Sequence, residues 1–167
     1  VHISGNQLVL LIALAVVTIV FSSLNKNYFT YTNLINILVS STLIGLTSIG
    51  ITFLIMTGGN DLSAGSVAAF AGVFVAWALK ATELSWLLIC FLAVGISAVA
   101  GITNAWMVTK LNIVPFIATL VSQSIWRGMA YLLCDGKPIS VQNQGFLAFG
   151  KARVGGASGM PVTVILM

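Results

Sequence analysis

Apolar residues form five long runs along the chain, separated by short polar segments. The runs cover residues 7–24, 34–57, 67–79, 86–109 and 116–134. A helix needs about 20 mostly apolar residues to cross the hydrocarbon core of a membrane. The pattern therefore predicts five membrane-spanning helices, of which the third is long enough only if its first turn begins near Leu62.

The composition supports lipid as the solvent of this chain. Of its 167 residues, 59% are hydrophobic and only 6% are charged, whereas soluble domains carry about 25% charged residues. The seven basic residues are scattered singly, and no basic patch with interleaved aromatic residues suggests nucleic-acid binding. We therefore predict an all-α fold, a polytopic transmembrane helix bundle.

The two ends of the sequence suggest that more chain belongs to this domain. The chain begins with Val1, and residues 161–167 look like the opening of a sixth span. We expect a single transmembrane domain over residues 1–167, truncated at both ends, with about five complete spans and the start of a sixth.

Few residues are suited to metal binding or to catalysis. Cys90 and Cys134 lie inside apolar runs, and the single histidine is His2. This pattern predicts neither a disulfide framework nor a metal site, and it implies no cofactor. So few titratable groups could serve as acid and base that an integral-membrane enzyme is disfavoured.

The most distinctive polar stretch is residues 58–66, between the second and third apolar runs. Two glycines permit a sharp turn, and the oxygens of Asn60, Asp61 and Ser63 are suited to capping the helix that follows. A carboxylate at the bilayer centre costs about 2.5–3.5 kcal/mol on insertion scales, so we expect Asp61 near an interface or in a polar cavity. The alternative function for the stretch is a gate or a broken-helix site on a transport path.

The fourth and fifth apolar runs contain further polar side chains. Arg127 and Gln123 make the fifth run polar in its middle, so this helix faces other helices or a water-filled route, unless Arg127 extends to the interface. Asn104 in the fourth run is suited either to the pathway or to a hydrogen bond between helices. The candidates for a translocation pathway or gate are Asn60, Asp61, Ser63, Asn104, Gln123 and Arg127.

Small residues recur every four positions in the third and fourth runs, a spacing typical of close helix packing in lipid. One ridge is Ala64, Ala68, Gly72 and Ala76, and the other is Ala93, Ser97, Gly101 and Ala105.

Residues 145–151 have the spacing of a phosphate-binding loop. Ala152 stands where a magnesium-binding Ser or Thr is required, so we predict no nucleotide site there.

Three stretches resemble the signatures of monosaccharide ABC transporter permeases of the ribose and arabinose type. Residues 58–66 read Gly-Gly-Asn-Asp-Leu-Ser-Ala-Gly-Ser, which is similar to the family's glycine-glycine-x-aspartate-leucine-serine-x-glycine-serine signature. Residues 104–116, with Lys110 and Pro115, resemble the turn after the family's fourth span. Residues 117–139 are similar to its fifth span and the following loop. Asn60 departs from the apolar residue common in the family.

The resemblance covers nearly the whole chain and implies a function. It implies the membrane-spanning permease subunit of an ATP-driven monosaccharide importer in the bacterial inner membrane, working as a dimer with a second permease copy. A periplasmic sugar-binding protein and a cytoplasmic ATP-binding subunit are the implied partners, and ATP hydrolysis is expected in the latter. The family's coupling segment lies beyond the sixth span. The alternatives are a passive channel or secondary transporter for a small polar solute, or a membrane scaffold without transport.

The orientation in the membrane depends on which signal is followed. Most basic residues of short loops fall on one side, which the positive-inside rule alone would place in the cytoplasm. The family arrangement instead places the N-terminus in the cytoplasm and residues 135–160 in the periplasm. We adopt the family arrangement, because the sixth span must carry the coupling segment to the cytoplasm. The sequence does not identify the sugar.

Overall fold

The computed structural model describes residues 5–154, 160 and 161, which form helices joined by short turns and one small strand pair. The helices are α1 (Gly5–Leu24), α2 (Tyr31–Met56), α3 (Ala64–Ala81), α4 (Trp86–Lys110), α5 (Pro115–Leu133) and α6 (Gln144–Lys151). The strands β1 (Arg153–Val154) and β2 (Met160–Pro161) pair antiparallel.

The helical fold predicted from the five apolar runs is confirmed. In the described part of the chain, α1, α2, α3 and α4 are long and apolar enough to cross a membrane. The fifth run forms α5, a helix of 19 residues whose polar side chains leave it outside that group of four. Most of the expected sixth span, residues 162–167, lies outside the described residues.

Two helix starts differ from the sequence prediction. Helix α2 begins at Tyr31, three residues before the apolar run, because the Asn33 side chain donates to the Tyr28 carbonyl over 2.7 Å and stabilises a polar first turn. Helix α3 begins at Ala64 and continues through Lys80 to Ala81. Its 18 residues make it long enough to cross, as the prediction required.

The described chain divides into two compact units. Of the described residues, the first comprises 5–43, 153, 154, 160 and 161, and the second 44–152. In the first unit, the turn after α1 is ordered by the Phe21 and Tyr28 rings, which stack with centroids 6.4 Å apart. The Asn25 side chain there accepts a hydrogen bond from the Asn27 amide at 2.9 Å.

In the second unit, α3 packs against both α4 and α5, and α4 packs against α5. All the side chains buried on these helices are small or polar except Phe70 and Ile89. The buried residues are Ser66, Phe70, Ala78, Ile89, Ala93, Ala100, Asn104, Ala118, Thr119, Ser122 and Ala130. Small side chains let helix backbones approach closely, which is how helices associate in lipid. The Phe70 and Trp126 rings, 5.0 Å apart, join α3 to α5.

The predicted small-residue ridges pack only in part: Ala93 is buried, and Ala64, Ala76 and Ser97 are half-buried. Ala68 and Gly72 on α3 are exposed, as are Gly101 and Ala105 on α4. A Cβ added at either glycine would meet no atom within 4 Å. Ala and Gly are so abundant in this chain that small residues line several faces of a helix. The face that packs is the one on which Phe70 meets Trp126.

Candidate functional site

The turn between α2 and α3 brings polar groups to the start of α3. Helix α2 is closed by hydrogen bonds from the amides of Gly58 and Gly59 to the carbonyls of Ile55 and Leu54. Gly58 has a φ of +78°, a conformation that costs glycine little because it has no Cβ. The chain then runs through Asp61 into α3.

Asp61 and Ser63 are hydrogen-bonded to each other, and the Ser63 side chain does not cap α3. Asp61 Oδ1 accepts from the Ser63 amide at 2.7 Å and from the Ser63 hydroxyl at 2.6 Å. Ser63 is the N-cap residue, but its φ and ψ of −82° and −19° are helical and its side chain makes no capping bond. The capping prediction was therefore wrong for Ser63, because its hydroxyl is directed to the Asp61 carboxylate and a capping side chain needs an extended backbone. Asp61 does accept an amide at the start of α3, that of Ser63 itself.

Asn104 of α4 completes this network across the helix interface. Its Nδ2 donates to the Ser63 Oγ over 2.9 Å, and only 8% of Asn104 and 1% of Ser63 are exposed. The amide nitrogen can only donate, so the hydroxyl accepts from it and donates its own hydrogen to Asp61. The Asn104 Oδ1 is left buried and without a partner among the described residues.

Thr119 of α5 brings the third helix to the same place. Its Oγ1 lies 2.9 Å from the Pro115 carbonyl oxygen and 3.5 Å from the Asn60 carbonyl oxygen, and the residue is 3% exposed. Sequence reasoning did not single out Thr119 as a site residue. Its place near the start of a helix with several polar side chains in its middle was the available signal.

The structure brings together part of the predicted set. Asp61, Ser63 and Asn104 form one hydrogen-bonded chain, and Asn60 contributes its backbone carbonyl while its side chain is exposed. We call Asp61, Ser63, Asn104 and Thr119, with the Asn60 carbonyl, the polar junction. Two other predicted residues lie further along α5, Gln123 half-buried and Arg127 exposed, and no side-chain hydrogen bond among the described residues joins either of them to the junction. The groups of the polar junction can exchange hydrogen bonds with a polar solute, and Asp61 is the one titratable side chain among them.

Groups typical of metal or thiol chemistry are not gathered within the described residues. No cluster of three or more His, Cys, Asp or Glu side chains there could hold a metal ion. Cys90 and Cys134 are free thiols.

Comparison with known proteins identifies the family. A family model described as "Branched-chain amino acid transport system / permease component" matches residues 33–163. The ribose import permease protein RbsC of Escherichia coli (strain K12) is 35% identical over 161 residues, covering 94% of this chain and 49% of that protein. RbsC of Bacillus subtilis (strain 168) is 34% identical, covering 93% and 48%.

A relative named for a different sugar matches nearly as much of the chain. The L-arabinose transport system permease protein AraH of Escherichia coli (strain K12) is 32% identical over 153 residues, covering 88% of this chain and 44% of that protein. No solved structure gives a significant match. The chain spans about half the length of the curated relatives it matches. With its membrane-capable helices and a family match over most of its length, this chain belongs to a family of multi-pass membrane transport permeases.

Proposed function

We propose that this chain forms part of the permease subunit of an ATP-driven monosaccharide importer in a bacterial inner membrane. The observation that carries the proposal is the 35% identity to a ribose import permease, which extends over 94% of the chain. Other relatives are named for L-arabinose and galactofuranose. All three names specify monosaccharides, which supports that substrate class without selecting a member of it.

The importer needs subunits that this chain does not supply. Residues 145–151, which have the spacing of a phosphate-binding loop, belong to α6, whose first turn is capped by the Asn143 side chain. A helix in this position leaves no loop of free amides to cradle phosphates. We therefore assign ATP hydrolysis to a separate ATP-binding subunit, and sugar delivery to a periplasmic binding protein. A second permease copy would complete the pathway.

The polar junction is our candidate for a gate in that pathway. A hydrogen bond between the Asn104 and Ser63 side chains links α4 to the start of α3. The Thr119 hydroxyl links α5 to the Asn60 carbonyl in the turn before α3. Polar groups inside membrane segments commonly mark substrate pathways. Gln123 and Arg127 remain candidates for a separate part of the pathway, since Arg127 is exposed on α5.

The test is co-purification followed by reconstitution. The full-length protein is purified from its native membranes in mild detergent, and ATPase activity is measured with binding proteins loaded with ribose, arabinose or galactofuranose. We expect an ATPase to co-purify and to be stimulated by one loaded binding protein. Proteoliposomes should then take up that sugar with ATP and not with a non-hydrolysable analogue.

The opposite result would favour another class of transporter. If the protein purifies without an ATPase, and sugar flux through it is the same with and without ATP, the importer proposal fails. A passive channel or a secondary transporter would then explain the membrane fold and the polar junction.

A further inference from the structure

An open cavity of about 760 Å³ lies at the end of the second unit opposite the polar junction. It is walled by the last turns of α3, including Ala76, Trp77 and Lys80, and by the end of α5 with the loop that follows it. Sites for small molecules typically have volumes of about 300–1,000 Å³. The cavity is thus large enough for one small solute with its water.

The groups lining this cavity are suited to a ligand rich in hydroxyl groups. Lys80 and Lys137 offer donors, the Asp135 carboxylate offers acceptors, and the amide of Gln142 offers both. Trp77, 39% exposed, presents an aromatic wall. A monosaccharide carries a donor and an acceptor at each hydroxyl, together with C–H groups that can lie on an indole ring.

The loop that carries Asp135 and Lys137 is held in a fixed conformation. Asp135 and Gly136 have φ values of 50° and 64°, and the amides of Gly136 and Lys137 donate to the Tyr131 and Cys134 carbonyls. A preorganised loop loses little conformational entropy when a ligand binds. The backbone that carries Asp135 and Lys137 is therefore positioned before a ligand arrives.

A second cavity of about 420 Å³ borders the first and extends along α3. Both are lined by Ala76 and Lys137, and the second reaches Gly72, two helical turns or about 12 Å before Lys80. Gly72, which is exposed, and Ala76, which is half-buried, belong to the small-residue ridge of α3, and their small size leaves this space open. The polar mouth thus continues into a less polar recess along the helix.

We propose that the cavity at the C-terminal ends of α3 and α5 binds a free monosaccharide, so that the permease itself holds the sugar at the mouth of its pathway. The choice of ligand rests on the proposed function. Two lysines beside one carboxylate would also suit an acidic protein surface. The concave shape and the recess behind it favour a small solute.

The test measures sugar binding to the full-length protein in detergent, without its partners, by equilibrium dialysis against radiolabelled ribose, arabinose and galactofuranose in turn. Ala76→Leu fills the space that both cavities share. Asp135→Asn removes the carboxylate while keeping a residue type that tolerates the left-handed backbone. Ala68→Leu is the matched control, because Ala68 is an exposed member of the same ridge and lines neither cavity.

We expect saturable binding of one sugar by the unmodified protein, weakened about tenfold or more by Ala76→Leu and by Asp135→Asn and unchanged by Ala68→Leu. Thermal unfolding of each variant would show that it remains folded. Absence of saturable binding, or binding unchanged in both cavity variants, would overturn the inference. Loss of stimulation by a binding protein with sugar binding unchanged would overturn it too, and would assign the cavity to a protein partner.

The same preparations separate this inference from the proposed function. ATP-dependent uptake by the unmodified protein with its partners tests the importer, whereas dialysis of the permease alone tests the cavity. If the assembled importer takes up sugar but the isolated permease binds none, the proposed function holds and the cavity site is refuted.

Discussion

The side-chain amide of Asn104 donates a hydrogen bond to the hydroxyl of Ser63 over 2.9 Å, although 41 residues separate the two in the chain. Ser63 in turn donates to Asp61, so three side chains form a directed chain that ends on a carboxylate. Hydrogen bonds to a charged group are stronger than those between neutral groups. These hydrogen bonds fix the start of α3 against α4 and orient the Asn104 side chain.

Removing Ser63 and removing Asn104 should have unequal effects on stability. Ser63→Ala leaves both ends of the buried Asn104 amide without partners, whereas Asn104→Ala also removes the unpartnered Oδ1. We expect Ser63→Ala to lower the free energy of unfolding more, with a coupling between the two of about 0.6–1.7 kcal/mol. The measurement is SDS-induced unfolding of the two single variants and the double variant of the full-length protein. Strictly additive effects would show that the two side chains do not interact.

The charge of Asp61 should matter beyond its shape. Asp61→Asn keeps an oxygen that can accept from Ser63 but loses the charge, so we expect a decrease of about 1 kcal/mol in the free energy of unfolding. Asp61→Ala removes both accepted bonds and should cost about twice as much. If both variants are as stable as the unmodified protein, the Asp61 carboxylate stabilises neither the turn nor the Ser63 hydroxyl.

Gly136 should resist substitution because of its neighbour and its backbone. A Cβ at this position would lie 2.7 Å from the Tyr131 ring, and its φ is +64°. We expect Gly136→Ala to destabilise the loop after α5 by about 1–2 kcal/mol, the cost of a left-handed conformation for a residue with a Cβ. Gly128→Ala in α5 is the control, since a Cβ there meets no atom within 4 Å.

Hydrogen exchange and thermal unfolding of the two glycine variants would measure this difference. Faster amide exchange in residues 135–143 of Gly136→Ala, with no such change in Gly128→Ala, is the expected result. Equal exchange in the two variants would show that the left-handed conformation is not required.

Trp86 should hold α6 against the start of α4. Its ring lies 5.3 Å from the Phe149 ring and 6.4 Å from the Phe146 ring. Because aromatic pairs contribute about 0.5–1.5 kcal/mol beyond the area they bury, Trp86→Ala should raise amide exchange in α6. Trp106→Ala, an exposed tryptophan on the same helix, should leave α6 protected. Unchanged exchange in Trp86→Ala would contradict this role.

Arg127 should affect transport without affecting stability. It is exposed on α5, and exposed substitutions usually change stability by less than about 0.5 kcal/mol. If it lies on the pathway, Arg127→Gln should reduce ATP-dependent sugar uptake about tenfold at unchanged thermal stability. Normal uptake by this variant would remove Arg127 from the pathway.

The sequence alone determined where the helices lie along the chain and where the chain turns. Apolar runs of sufficient length identified five helices to within a few residues, because each hydrogen-bonds its own backbone and depends little on its neighbours. The glycines of residues 58–66 likewise marked the turn before α3, since a positive φ at Gly58 is a local property.

The tertiary structure decided which helix faces meet and where the polar side chains point. Sequence analysis selected the ridge with Gly72, whereas the packed face carries Ser66 and Phe70, because small residues lie on several sides of α3. It predicted a capping role for Ser63, whose hydroxyl instead bonds Asp61 and Asn104. A hydroxyl bonds whichever partner folding brings near. Asn104 lies 41 residues from Ser63 in the chain, so no local pattern could have identified that partner.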